Sequence, residues 1–315
     1  DFLFDLMEEH KFLFPNFERP KEPITPNFHP VATKGVPYED DWGCIWETVE
    51  DGITGTVTKH PLEDWNSFYG YLPPDPQKSM GIGPIDWLRE ERNIKIARKE
   101  GRLVYRGLRH GHTFLQLCDI RGYENLIFDM VDGEPRLFEL INMIEEFNMG
   151  LINKYIEIGV DVIGYPEDLG MQQGPMLSPE HFRKYIKPSY HRLMEPAKKS
   201  DTAIHFHSDG HIRSLIDDII DMDIDIINIQ DLTNGIDWIS ERLGGKICVE
   251  LDIDRQAITV NGTPDQIDNL IREEVEKISS PQGGLMMIYG LYPGVPLENI
   301  KAIMGAMEKY AFYHD

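Results

Sequence analysis

From about residue 100 onward, compact apolar runs alternate with amphipathic stretches, a rhythm the first hundred residues lack. Residues 103–108, 161–165, 203–207, 224–229, 247–251 and 285–288 are short and apolar, as a strand buried in a parallel sheet requires. Residues 123–131, 136–158 and 263–278 carry apolar side chains at three- and four-residue spacing and predict helices. Further helices are predicted from about residue 212 and near Trp238. The punctuation agrees. Ser178-Pro179-Glu180 and Thr263-Pro264 each place a capping hydroxyl before a first-turn proline, Pro296 opens the last helix, and Gly159 ends the helix before it. Strand and helix thus alternate at least six times, which predicts βαβ units and a parallel sheet. A doubly wound sheet competes with a barrel, but no GxGxxG follows a strand. The expected fold class is α/β, a (β/α)8 TIM-type barrel.

The first hundred residues read as an irregular N-terminal extension of that barrel. Pro15, Pro20, Pro23, Pro26, Pro30 and Pro37 interrupt any long helix. Residues 43–59 alternate like a β-hairpin, with Thr54, Thr56 and Thr58 on one face and Asp51-Gly52 as a turn. Leu72-Pro73-Pro74-Asp75-Pro76 is a stiff linker, and residues 85–100 read as a charged helix stopped by Gly101. The expectation is one domain over residues 1–315.

Charge narrows the partners. A formal net charge of −23 lacks the basic footprint that nucleic acid or an anionic membrane surface requires. Cys44, Cys118 and Cys248 are scattered and odd in number, so a disulfide framework is not expected. No run approaches the ~18 apolar residues of a membrane span. No basic stretch followed by an apolar run marks a signal peptide, so a cytoplasmic protein is expected.

In a barrel of this kind the chemistry gathers where strands end and the following loops begin. The first exit offers His110 and His112, flanking Gly111, as ligands for an anion or metal; the plainer alternative is a polar loop. The second offers Glu167 and Asp168 as general acid or base and orienter, with Gln172 beyond. The third is the richest. His205, His207 and Asp209 share one strand face, where they suit proton relay or a divalent metal held by one or two of them, His207 and Asp209 first. Later exits add Gln230, Asp252 with Arg255, Tyr289 and Tyr292 as candidate substrate contacts. Asp252 and Arg255 read equally well as an ordinary ion pair, and the tyrosines as packing.

Several of these segments, in this order, resemble the uroporphyrinogen decarboxylase superfamily. The resemblance rests on the stretch from Asp161 to Gln172, on Ser178-Pro179-Glu180, and on Lys187-Pro188. His207-Ser208-Asp209-Gly210 is similar to the family's His-Ser-Cys-Gly segment. Gly262-Thr263-Pro264, residues 296–300, Asp41-Trp42-Gly43 and residues 121–125 resemble further signatures. The superfamily holds decarboxylases and corrinoid-linked methyltransferases. The arginine-rich N-terminal segment that grips carboxylates in the decarboxylases is not found here. In the thiol-methylating members zinc is bound by His-x-Cys and a later Cys; His207 matches the first ligand, but Asp209 stands at the first cysteine.

The resemblance therefore implies a methyltransferase that moves a methyl group from a small donor, methoxyaromatic O-demethylation first, to a corrinoid protein. Zinc at His207 and Asp209, or an acid among Glu167, Asp168, His205 and His207, would activate the leaving oxygen. It also implies anaerobic metabolism; a homodimer is the default assembly. The competing reading is a cofactor-free decarboxylase in which Arg106, Arg109 or Arg255 holds a carboxylate.

Overall fold

A computed structural model describes residues 2–314. The chain divides into two compact units, Asn27–Asp225 and a terminal unit made of Asp1–Pro26 with Ile226–Asp315.

The central unit opens with a small antiparallel sheet of β1 (Tyr38–Glu39), β2 (Ile45–Glu47) and β3 (Thr56–Lys59), in that order. It extends the expected hairpin by one strand. Asp40 explains the extra strand: Oδ1 accepts the backbone N–H of Trp42 and of Cys44, both at 2.9 Å, and Oδ2 accepts Trp46 Nε1 at 2.8 Å. That aspartate closes the β1–β2 turn. The charged helix follows at Trp87–Lys99.

Three parallel strands come next, β4 (Tyr105–Gly107), β5 (Val162–Asp168) and β6 (Ala203–Asp209), side by side in chain order. β5 and β6 pair from Val162↔Ala203 to Asp168↔Asp209, so their side chains alternate in step. On one face lie Ile163, Tyr165, Ile204 and Phe206, each at most 1 % exposed. The other face carries Gly164, Asp168, His205, His207 and Asp209. One face is therefore a core and the other is free to hold polar groups. Truncating Phe206 to alanine would cost about 3–5 kcal/mol.

The longest helix, Pro135–Ile158, shows why the sequence signal was clear. Leu137, Leu140, Ile141, Ile144, Leu151, Ile152 and Tyr155 form one buried stripe; Pro135 starts the helix and Gly159, left-handed at φ 83°, ends it. The helix Phe114–Arg121 carries no such signal. Six of its eight residues are buried, so no polar face marks it, and Thr113 makes no side-chain cap.

In the terminal unit β7 (Ile226–Gln230), β8 (Cys248–Asp252) and β9 (Leu285–Ile288) are again parallel and in chain order. Helices Phe2–Glu9, Ile236–Leu243, Pro264–Ile278 and Leu297–Tyr310 accompany them. Thr263 and Gln266 form a reciprocal capping box on Pro264–Ile278. Its buried stripe of Ile267, Leu270, Ile271, Val275 and Ile278 is interrupted by one acid, Glu274. No helix among the described residues is long and apolar enough to cross a membrane.

Candidate functional site

Two backbone devices build a site at the carboxyl ends of β4, β5 and β6. After β4, Gly111 donates its N–H to Pro166 O at 2.9 Å. It does so at φ +73°, where a Cβ would come within 2.7 Å of Leu115 Cβ. The loop is thereby turned back over β5, and His110 arrives beside Asp168. After β5 and β6, the loops touch backbone to backbone. Gly170 donates to Asp209 O at 3.2 Å, and a Cβ on Gly210 would lie 2.2 Å from Gly170 C.

Asp168 Oδ1 is the focus of the result. His110 Nε2 lies 3.3 Å from it, His207 Nε2 3.5 Å, and the Asp209 N–H donates to it at 3.2 Å. The two imidazole rings are 5.5 Å apart. His207 Nε2 is also 3.8 Å from Asp209 Oδ1. Burial pushes the Asp168 carboxyl up, but hydrogen bonds from His110 and His207 outweigh it and hold the group well below the usual carboxylate range. His110 is half exposed while His207 and Asp168 are partly covered, so the cluster opens to solvent on the His110 side.

One ligand atom from each of His110, Asp168 and His207 lies within 4.8 Å of the other two. The fit to a metal can be tested by geometry. Ligands about 2.0–2.1 Å from a tetrahedral zinc are about 3.3–3.4 Å from each other. The two His–Asp separations, 3.3 and 3.5 Å, match that edge. Two imidazoles and a carboxylate also leave a fourth position open. The residues therefore fit a divalent ion. Sequence reasoning placed Asp209 in the metal set and His110 among substrate contacts. The structure gathers His110, Asp168 and His207, with Asp209 beside them.

Other candidates take different places. Glu167 points to the opposite face from Asp168. It is fully buried and accepts Thr113 N at 3.1 Å, Phe114 N at 2.8 Å, Leu115 N at 3.1 Å and Tyr190 Oη at 2.6 Å. It caps the helix Phe114–Arg121 through backbone N–H groups 52–54 residues away in sequence. Burial pushes this carboxyl up, against the pull of its four donors. His112, read from the sequence as a candidate substrate contact, is likewise buried. Its ring packs against Tyr165 and Tyr190, Nδ1 bonds Thr113 Oγ1 at 2.7 Å, and burial pushes it down to about 3.

His205 shares the face of His207 but meets Tyr105, whose Oη lies 3.4 Å from its Nδ1. Gly164 makes room for that tyrosine: a Cβ there would collide with Tyr105 Oη at 2.0 Å. Tyr105 was not foreseen, although its parity with Gly107 on β4 was readable. Gln172 is exposed on the turn closed by the Gly170–Pro175 bridge. Arg106 pairs with Glu90 at 2.7 Å, and Arg109 is buried against Gln116 and Asp119 at 2.6 and 2.7 Å.

In the terminal unit Gln230, Asp252 and Arg255 line one small cleft. Arg255 Nη2 is 2.9 Å from Asp252 Oδ2, and its guanidinium lies 5.4 Å from the Tyr292 ring centre. Tyr289 is half-buried and Tyr292 exposed.

A family model described as uroporphyrinogen decarboxylase (URO-D) matches residues 103–310, more than half of the chain. The chain belongs to the URO-D family. A curated relative, the methylcobamide:CoM methyltransferase MtaA of Methanosarcina barkeri, is 22 % identical over 178 residues, 55 % of this chain and 49 % of that protein. The chain thus spans about half the length of the curated relative it matches. A solved structure, a methyltransferase from Methanosarcina mazei, superposes with a TM-score of 0.65 at 19 % identity, covering 91 % of this chain and 80 % of that one. The URO-D fold, α/β with the parallel strand–helix repeats of a TIM-type barrel, is therefore the fold of this chain. The ligand cluster stands at the strand ends where such barrels carry their chemistry.

Proposed function

We propose that this URO-D family member is a methyltransferase that moves a methyl group from a small oxygen-linked donor to a corrinoid carried by a partner protein. The observation that carries the reading is the convergence of His110 Nε2 and His207 Nε2 on one oxygen of Asp168, at tetrahedral-edge distances. The similarity to a methylcobamide:CoM methyltransferase supports the corrinoid. The family match runs through both compact units, which supports treating them as one functional domain.

The donor set argues for the class of leaving group. It is two nitrogens and an oxygen, with no thiolate. Cys44 and Cys118 are buried, and burial pushes both thiols up. A nitrogen–oxygen set suits zinc or a similar divalent ion and an oxygen ligand. An ether, methoxyaromatics first, is therefore the proposed donor.

His110, Asp168 and His207 would hold the ion. Bound there, it supplies Lewis-acid polarisation of the donor oxygen. The corrinoid of the partner supplies the reduced cobalt that accepts the methyl group. The remaining work belongs to this chain. Asp209, 3.8 Å from His207 Nε2 at the edge of the cluster, would bind and orient the donor's oxygen end. His205 and Tyr105, on the same strand face, bind and orient the donor's polar end. As the C–O bond breaks, the oxygen leaves with one proton and the methyl group departs without its bonding pair.

The decarboxylase alternative is weakened because each of its proposed carboxylate grips is already paired with an acid, Arg106 with Glu90, Arg109 with Asp119 and Arg255 with Asp252. The test is methyl transfer from a panel of methoxyaromatics to free cob(I)alamin, followed by its absorbance change. Transfer by the wild type that is lost in His207→Ala supports the reading. Release of CO2 from a carboxylated substrate without any cobamide contradicts it.

A further inference from the structure

Asn148 stands within the helix Pro135–Ile158, on its buried stripe, flanked by Ile144, Phe147, Leu151 and Ile152. It is 1 % exposed. Burying an amide is costly unless it is hydrogen-bonded, and packing alone would favour an apolar side chain here. Asn148 Nδ2 reaches out of its helix and donates to the backbone carbonyl of His112 at 2.7 Å, across 36 residues of sequence.

That carbonyl belongs to the loop that delivers His110. Three successive residues of the loop are tied, each to a different place. Arg109 Nε donates to His110 O at 3.1 Å, and the same guanidinium is anchored on Gln116 Oε1 at 2.6 Å and Asp119 Oδ2 at 2.7 Å. Gly111 donates its N–H to Pro166 O at 2.9 Å. His112 O accepts from Asn148. All three ties act on the backbone, so the His110 imidazole stays available for the site.

Gly111 is the soft point of this loop. It sits between the two histidines at φ +73°, and glycine has the widest backbone freedom of any residue. Rotation there would swing His110 away from Asp168. The Pro166 bond fixes the turn on the amide side of Gly111, and the Asn148 bond fixes the peptide that follows. With both sides held, His110 Nε2 arrives 3.3 Å from Asp168 Oδ1. With the Asn148 bond removed, one side is loose, and His110 must be ordered at the moment it binds.

We propose that Asn148 is a positioning residue of the site: by holding the His112 carbonyl it stills the Gly111 turn and keeps His110 Nε2 against Asp168. Every residue involved lies in the central unit. The consequence for an ion at His110, Asp168 and His207 rests on the proposed function; the restraint on Gly111 does not.

Asn148→Leu removes the donor and leaves an unbroken apolar stripe. Cobalt(II) serves as the probe, because its visible spectrum reports the ligand set. Asn148→Leu should bind cobalt about tenfold more weakly than wild type in competition with a chromophoric chelator, with a native circular dichroism spectrum. In a His110→Ala background, read from cobalt absorbance directly, the same substitution should change affinity by less than about twofold, because its influence runs through His110. An asparagine with only a structural role would weaken binding equally in both backgrounds. Without metal, hydrogen exchange at the buried Gly111 amide should accelerate by about tenfold in Asn148→Leu. Asn148→Ser, too short to reach His112 O, takes its place if Asn148→Leu does not fold. Unchanged exchange at Gly111, or equal loss of cobalt with and without His110, overturns the inference. A folded wild type that binds no cobalt contradicts the proposed function instead, and exchange at Gly111 still decides the role of Asn148.

Discussion

His110 and His207 reach the site from the exits of two different strands, yet both aim Nε2 at the same oxygen of Asp168, at 3.3 and 3.5 Å. Neither residue is near the other in sequence. What joins them is the parallel pairing of β4, β5 and β6 and a glycine turn at Gly111. A shared oxygen at these distances fits the edge of a tetrahedral coordination sphere.

That geometry ranks the ligands. His110→Ala should lower divalent-metal affinity by at least about 10–100-fold, and Asp209→Ala by much less, because Asp209 stands outside the three-residue cluster. Competition against a chromophoric chelator measures both.

Glu167 serves stability. Removing its carboxylate strands three backbone N–H groups, two of them buried, at the start of the helix Phe114–Arg121. Glu167→Ala should cost about 3 kcal/mol or more, and Tyr190→Phe about 1 kcal/mol. Urea denaturation distinguishes the two. A Glu167→Ala protein of wild-type stability would sink this assignment.

Gly210→Ala should destabilise by about 3 kcal/mol, through the left-handed backbone at φ +81° and a Cβ 2.2 Å from Gly170 C. It should also weaken metal binding, since Asp209 and His207 lie just before the displaced loop. Thermal unfolding and metal titration of the same variant check the two effects together.

Acid should weaken the fold partly through Asp218. Burial raises its carboxyl, but hydrogen bonds from Arg183 at 2.9 Å and Lys187 at 3.0 Å prevail and lower it. A group depressed in the fold contributes stability above its unfolded value, about 3.9, and loses it as pH falls through the lower folded value. Asp218→Asn should therefore be less stable than wild type at neutral pH, and the gap should narrow as pH falls below the unfolded value of about 3.9. A gap constant with pH would remove Asp218 from the account.

Much of the frame was legible because its signals are local. The stripe of Pro135–Ile158, the Thr263 capping box and the parity of His205, His207 and Asp209 all follow from residues close in sequence. The same parity places Glu167 and Asp168 on opposite faces, so their different fates could have been read from adjacency alone. What was hidden depends on distant contacts. The helix Phe114–Arg121 has no local cap and no polar face, since its cap is Glu167. His110 joins the cluster through a backbone bond from Gly111 to Pro166, which no spacing rule announces.

The most direct test is the metal content of the purified wild type, His110→Ala and His207→Ala after loading with zinc and desalting. The account predicts about one ion per wild-type chain, as a three-ligand site with an open fourth position holds. It predicts that either substitution strips the site while the circular dichroism spectrum stays native. Equal zinc in the wild type and both variants, or none in a folded wild type, would contradict it.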